Sequence, residues 1–199
     1  IHVFYGIRDA FARSQMPETA KPLAGAVIVG ISLIFFPQVS AMGYDTISHA
    51  FEGTMGTRLL LSLIVVKMLM TSVTLGCGGS GGVFTPAMFI GAMLGGGFAG
   101  VTNYLSPETI AEPGAFALVG MGAFLAAATH APLTAIFMVW ELTQNIGSVV
   151  PAMLASVTGT LVARGLLADS IDTYELRRKG FDVHRPRTAN ILGNLFVRG

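Results

Sequence analysis

The chain has 199 residues, of which 52% are hydrophobic and only 12% charged, with a formal net charge of +1 and a mean hydropathy of +0.66. A soluble domain carries about 25% charged residues, so this composition excludes a water-soluble globular fold and places the chain in a bilayer. From Met68 to Ala163 there is no Lys or Arg, and the only acids are Glu108, Glu112 and Glu141.

Residues 1–22 carry Arg8, Asp9, Arg13, Glu18 and Lys21 and read as the end of a helix followed by a loop. They lack the basic start and apolar run of a secretory leader, and opening at Ile1 in mid-pattern gives the expectation of a piece of a longer chain. An apolar stretch runs from Leu23 to Phe36 and stops at Pro37. A polar turn with a short amphipathic piece follows, from Gly43 to Thr57. An apolar helix is expected over Leu59–Leu75, with Lys67 in its interior. The cluster Gly76–Gly82 cannot continue that helix, since each Gly costs up to about 1 kcal/mol there.

Pro86 suits the first turn of a new helix, expected to run to about Tyr104. The loop from Ser106 to Gly114 holds two prolines and two glutamates. Apolar segments then occupy Ala115–Thr129, Leu133–Thr143 and Val149–Leu167, and a short helix is expected near Ile171–Lys179. No strand-like alternation is long enough to matter, so the fold class is an all-α membrane protein. Several segments are shorter than the roughly 20 residues that cross a hydrocarbon core of about 30 Å. Short, Gly- or Pro-interrupted apolar segments are the pattern of discontinuous helices that meet near the bilayer midplane. The backbone they expose must line a cavity or be buried in protein.

The stretch Gly78-Gly79-Ser80-Gly81-Gly82-Val83-Phe84-Thr85-Pro86 runs directly into a helix start. A first helical turn leaves amide hydrogens without partners, and the helix dipole places partial positive charge there. An anion is the natural ligand of such an end. No Lys or Arg lies near in sequence, which suits a permeating ion, because conduction needs sites that are favourable but weak. Close helix packing is the other use for these glycines.

Gly82-Val83-Phe84-Thr85-Pro86 matches the G-x-F-x-P motif of the CLC chloride channel and transporter family, within the run GSGGVFTPAMFIGAMLG. The downstream string GAFALVGMGAFLAAATHAPLTAIFMVWELT is also similar to this family, as is the order of elements from about Pro22 to Gly180. The resemblance implies two inverted-topology halves, a homodimer and one ion pathway per subunit, with this chain as the second half. The missing N-terminal half would supply the other anion loops and a gating glutamate. The resemblance puts chloride against Gly82, Val83, Phe84, Thr85 and Pro86, with the N–H groups of Val83 and Phe84 coordinating it.

The family usually carries a tyrosine near the start of its last membrane helix. Here Asp172 aligns with it and Tyr174 lies two residues later, nearly opposite on a helix. Either the local turn brings Tyr174 to the ion, or Asp172 occupies the inner gate. Residues 1–180 are thus expected to form the membrane half-domain. Residues 181–199 resemble a linker that leads into cytoplasmic CBS domains.

Arg177, Arg178, Lys179, Arg185 and Arg187 crowd one stretch, which places the C-terminus in the cytoplasm by the positive-inside rule. At the edge of a membrane segment, such a cluster does not call for nucleic acid. Gly95 to Gly100 spell G-x-G-x-x-G late in an apolar helix, where packing, not a dinucleotide, is expected; Gly91/Gly95 and Gly96/Gly100 have GxxxG spacing. Lys67 is a functional suspect as an intramembrane charge; direct chloride coordination is one reading, and snorkelling or pairing with a carboxylate from the missing half is the favoured one. Glu141 reads as a buried structural acid or a helix-end residue rather than a proton relay. His130 reads as a polar hinge, and His2, His49 and His184 lack metal-ligand spacing. Cys77 is the sole cysteine, so no internal disulfide forms.

No catalytic constellation, cofactor or metal motif is present, so the expectation is a chloride channel or chloride/proton antiporter and not an enzyme. Its ligands would be chloride and membrane lipid. A secondary transporter for another small anion and a non-transporting membrane scaffold are the competing readings.

Overall fold

Prolines and glycines set the helix boundaries. The computed structural model describes residues 2–14, 16–106, 112–144 and 146–181. Among them are α1 (His2–Arg13), α2 (Ala20–Phe35), α3 (Tyr44–Phe51), α4 (Thr57–Gly76), α5 (Phe84–Leu105), α6 (Pro113–Thr129), α7 (Pro132–Thr143), α8 (Val149–Leu166) and α9 (Ile171–Arg178). The described residues contain no β-strand. α2 ends just before Pro37, and α6 and α7 each begin on a proline, whose missing N–H costs nothing at a helix start. Between α6 and α7 the chain turns through His130, held at φ +56°, and the Arg164 guanidinium donates to the His130 carbonyl at 3.2 Å. α5 starts at Phe84, two residues ahead of the expected proline. Residues 182–199, which hold most of the expected linker, and Glu108, His184, Arg185 and Arg187 lie outside the described residues.

Three segments are long and apolar enough to cross a membrane: Thr57–Gly76, Phe84–Leu105 and Ile146–Arg178. α7, with 12 residues, extends only about 18 Å at 1.5 Å per residue, well short of a full span.

The core forms where α5 is enclosed by α3, α4 and α6, with α7 and α8 packed against α6. Met88, Phe89, Ala92 and Met93 of α5 meet Leu60 and Leu63 of α4 and Ala117, Met121 and Leu125 of α6 there. Small residues make the approach possible, as membrane helix interfaces require. Gly91 and Gly95 face α6: a Cβ on Gly91 would sit 2.6 Å from the Gly120 carbonyl oxygen, and one on Gly95 would land on the Phe116 carbonyl. Gly96 and Gly100 instead meet Leu60 and Thr57 of α4. The glycine run that spells a nucleotide fingerprint is therefore a two-sided packing surface. Apolar side chains on α2 and α8, including Leu23, Ile34, Leu154 and Leu161, are exposed, as expected of faces turned to lipid or to the remainder of the protein.

Replacing Gly120 with Val should cost about 2–3 kcal/mol through overpacking, because its Cβ would meet backbone atoms of Gly91 and Gly95 at 2.5–2.9 Å. Gly30→Ala, with nothing within 4 Å, should leave the thermal midpoint of the full-length protein unchanged or raised.

Candidate functional site

The turn between α4 and α5 is built from residues without bulk. Gly78 adopts φ +89°, a left-handed conformation that glycine enters without penalty. The Gly79 amide donates back to the Thr74 carbonyl at 2.9 Å, and a Cβ on Gly79 would lie 2.7 Å from that same oxygen. The chain then passes through Ser80, Gly81 and Gly82 to Val83, the N-cap of α5.

No side chain caps α5. The first helical bond runs from the Ala87 amide to the Val83 carbonyl at 3.0 Å. Among the described residues, the N–H groups of Val83, Phe84 and Thr85 donate to no protein acceptor. An uncapped helix start of this kind presents both free donors and the positive end of the dipole.

Three cavities meet at this turn. One, of about 450 Å³, is bounded by Ser80, Gly81, Gly82, Phe84, Thr85, Pro86 and Lys67. A second, of about 730 Å³, reaches Gly82, Val83 and Phe84 from the α1 and α9 side and is walled by Tyr5, Arg8, Asp172, Glu175 and Lys179. A third, of about 490 Å³, touches Val83 and Pro86 and is lined mainly by apolar side chains.

α9 owes its phase to a reciprocal cap. The Thr173 amide donates to the Ser170 hydroxyl at 3.2 Å, and the Ser170 amide to the Thr173 hydroxyl at 2.8 Å. With that start, Asp172 faces the second cavity. Tyr174 does not line it; its ring packs 4.7 Å from that of Tyr5. Tyr5 is buried and donates its hydroxyl to the Ile171 carbonyl at 3.1 Å.

Ion pairs clamp α1 to α9. The Arg8 guanidinium meets both carboxylate oxygens of Glu175 at 2.9 Å, and Arg178 donates to Asp9 at 2.9 and 3.0 Å. Lys179 also reaches Glu175, at 2.9 Å. Arg177 in turn donates to the buried Asp169 at 2.7 Å. Much of the basic cluster is thus spent on holding α9 in place.

A family model described as "Voltage gated chloride channel" matches residues 1–164. The chain belongs to the voltage-gated chloride channel family. It is 37% identical over 178 residues to a Ralstonia nicotianae protein named "Putative chloride channel protein ClcB-like", covering 89% of this chain and 42% of that one. It is 32% identical over 175 residues to the "H(+)/Cl(-) exchange transporter ClcA" of Vibrio campbellii, covering 86% and 37% respectively. The crystal structure of a slow cyanobacterial Cl-/H+ antiporter superposes with a TM-score of 0.68 at 28% identity, over 92% of this chain and 43% of that chain. The chain therefore spans about two fifths of the length of these relatives. Family membership and the apolar helices make it part of a multi-pass integral membrane protein.

Within this family member, the motif residues Gly82 to Pro86 stand together at the meeting of the cavities, with Asp172 across the second one and Tyr174 behind Tyr5. Sequence reading missed Tyr5 and Arg8, which share a cavity wall with the motif although they lie far from it in the chain. Lys67, a suspect from its charge alone, lines another cavity at the motif. No local pattern marks such neighbours. Glu141 is exposed in the last turn of α7, at a helix end rather than buried. Among the described residues, no group of three His, Cys, Asp or Glu side chains gathers as a metal site.

The Arg8–Glu175 pair is about one-third exposed, so its coupling is screened. A double-mutant cycle with Arg8→Met and Glu175→Gln should return no more than about 1 kcal/mol at low salt, fading as ionic strength rises.

Proposed function

We propose that the full-length protein carries chloride across a membrane, and that the amides of Val83 and Phe84 bind the ion at the uncapped start of α5. The observation that carries this reading is the set of N–H groups that, among the described residues, donate to no protein acceptor and stand where two cavities meet. An anion arriving from either side meets partial positive charge and no covalent chemistry. Partial charges bind without trapping, which is the condition for throughput. The names of the relatives, chloride channel protein and H(+)/Cl(-) exchange transporter, point to the same ion.

On the α9 side, Asp172 stands on the cavity wall where the family usually has a tyrosine. Its carboxylate opposes anion entry, while Arg8 and Lys179 on the same wall offset it. Arg177, Arg178 and Lys179 at the end of α9 favour a cytoplasmic C-terminus by the positive-inside rule. A homodimer with one pathway per subunit is the assembly that the family resemblance favours. A non-enzymatic role accords with relatives named as a chloride channel protein and an exchange transporter.

Flux from chloride-loaded liposomes containing the full-length protein, with pH recorded simultaneously, tests the assignment. Chloride efflux with coupled proton movement identifies an exchanger, and efflux without it a channel. If no chloride moves under any gradient, the proposal fails.

The binding amides have their own test. Val83→Pro deletes one N–H, and Val83→Ala keeps it while shortening the side chain. Because a hydrogen bond to a charged group is worth about 1.5–3 kcal/mol, Val83→Pro should weaken chloride binding at least tenfold relative to Val83→Ala. Equal affinities would exclude the amide as a ligand. For the α9 side, Asp172→Asn should tighten apparent chloride affinity by roughly two- to fivefold through removal of a repelling charge, whereas Tyr174→Phe should leave it unchanged. Concentration dependence of efflux measures both.

A further inference from the structure

α9 has only eight residues, and a helix that short is not held together by its own propensity. None of its residues is buried, so it lacks an apolar footing as well. The reciprocal bonds between Ser170 and Thr173 fix the phase of the helix, but not its distance from the rest of the protein. Elements with few buried contacts open locally at low free energy. Yet α9 carries Asp172 on the wall of the cavity of about 730 Å³. Where α9 sits therefore decides how close that carboxylate stands to the start of α5.

The contacts that dock α9 converge on Tyr5 of α1, of which only 5% is exposed. Its hydroxyl donates at 3.1 Å to the carbonyl of Ile171, the first residue of α9. Its ring packs 4.7 Å from that of Tyr174. The guanidinium carbons of Arg8 and Arg178 lie 5.9 and 5.3 Å from the centroid of the same ring, within cation–π reach. Those two arginines are the ones that pair with Glu175 of α9 and Asp9 of α1. Tyr5 is thus the floor on which both ion pairs rest. The pairs are partly exposed, and such pairs contribute at most about 1 kcal/mol each. The buried ring and its hydroxyl are the part of the clamp that solvent does not screen.

We propose that Tyr5 is a positioning residue for Asp172: it holds α9 against α1 so that the carboxylate stays on the wall of the anion route, and so sets chloride affinity on that side. The inference rests on the reading of Asp172 above as a charge that opposes anion entry. Tyr5 lines the same cavity, but its hydroxyl is given to the Ile171 carbonyl, so it acts through α9 and not as a donor to the ion. Without the ring and the hydroxyl, α9 spends part of its time away from the wall, and part of the repulsion from Asp172 is lost.

The test compares chloride flux by full-length wild type, Tyr5→Leu, Asp172→Asn and the double variant in liposomes. Tyr5→Leu leaves the net charge unchanged, so it adds no field of its own. It should lower the chloride concentration for half-maximal flux about twofold, a part of the effect of deleting the Asp172 charge. In the Asp172→Asn background it should leave half-saturation where it was. Equal shifts in both backgrounds, or none in either, overturn the inference. A tyrosine that only supports the fold would lower the thermal midpoint and the maximal flux without this dependence on Asp172. If Asp172→Asn alone leaves half-saturation unchanged, the reading of Asp172 fails; if wild type moves no chloride, the pathway reading fails. Either result takes this inference with it. Should Tyr5→Leu not fold, amide hydrogen exchange on Tyr5→Phe decides. Loss of the bond to Ile171 should speed exchange of the α9 amides about fivefold while the α5 amides keep their rates, and unchanged exchange in α9 would overturn the proposal.

Discussion

Every helix begins with amide hydrogens that its own carbonyls cannot reach, and in a membrane protein water is not always at hand to take them. At the start of α5 that constraint is left open. No side chain caps the helix, and Val83, Phe84 and Thr85 donate to no protein group among the described residues. A serine or aspartate at the N-cap is the ordinary remedy, but Val83 stands there instead. The surrounding structure keeps this end both fixed and accessible.

Fixing it is the work of close packing. Gly91, Gly95 and Gly120 let α5 and α6 approach until backbone meets backbone, and Gly96 and Gly100 make room for the side chains of Leu60 and Thr57 on α4. α5 is thereby gripped on two sides by neighbours whose positions have little freedom, as in any interior at crystal-like density. Access follows from the glycines of the preceding turn. Gly81 and Gly82 remain exposed and add no side chain to the cavities on either side.

Charge is distributed around that neutral centre. On the α9 side, Arg8, Glu175, Lys179, Arg178 and Asp9 compensate one another and lock α1 to α9. Asp172 stays exposed on the cavity wall and forms no ion pair among the described residues. On the other side, Lys67 has carbonyls and a ring for company and no carboxylate among the described residues. The two approaches to the α5 start therefore differ in charge as well as in shape: two cations and two carboxylates balance on the α9 side, and a single cation stands on the other.

The sequence alone settled what depends on composition and on near neighbours. Too few charges for a soluble surface meant a bilayer, Pro37 marked the end of α2, and the glycine cluster separated α4 from α5. The motif from Gly82 to Pro86 carried the family likeness because its residues are contiguous. Tertiary structure decided the rest, for reasons of phase and distance. Asp172 and Tyr174 are two residues apart, so a single cap, Ser170 with Thr173, determines which one faces the cavity and which one packs on Tyr5. Lys67 was visible as a charge in an apolar helix, but its cradle comes from Val39 and Ala41, more than two dozen residues earlier. Only the fold brings those carbonyls, that ammonium and the amides of the α5 start around one cavity, because helix packing, not chain proximity, makes them neighbours.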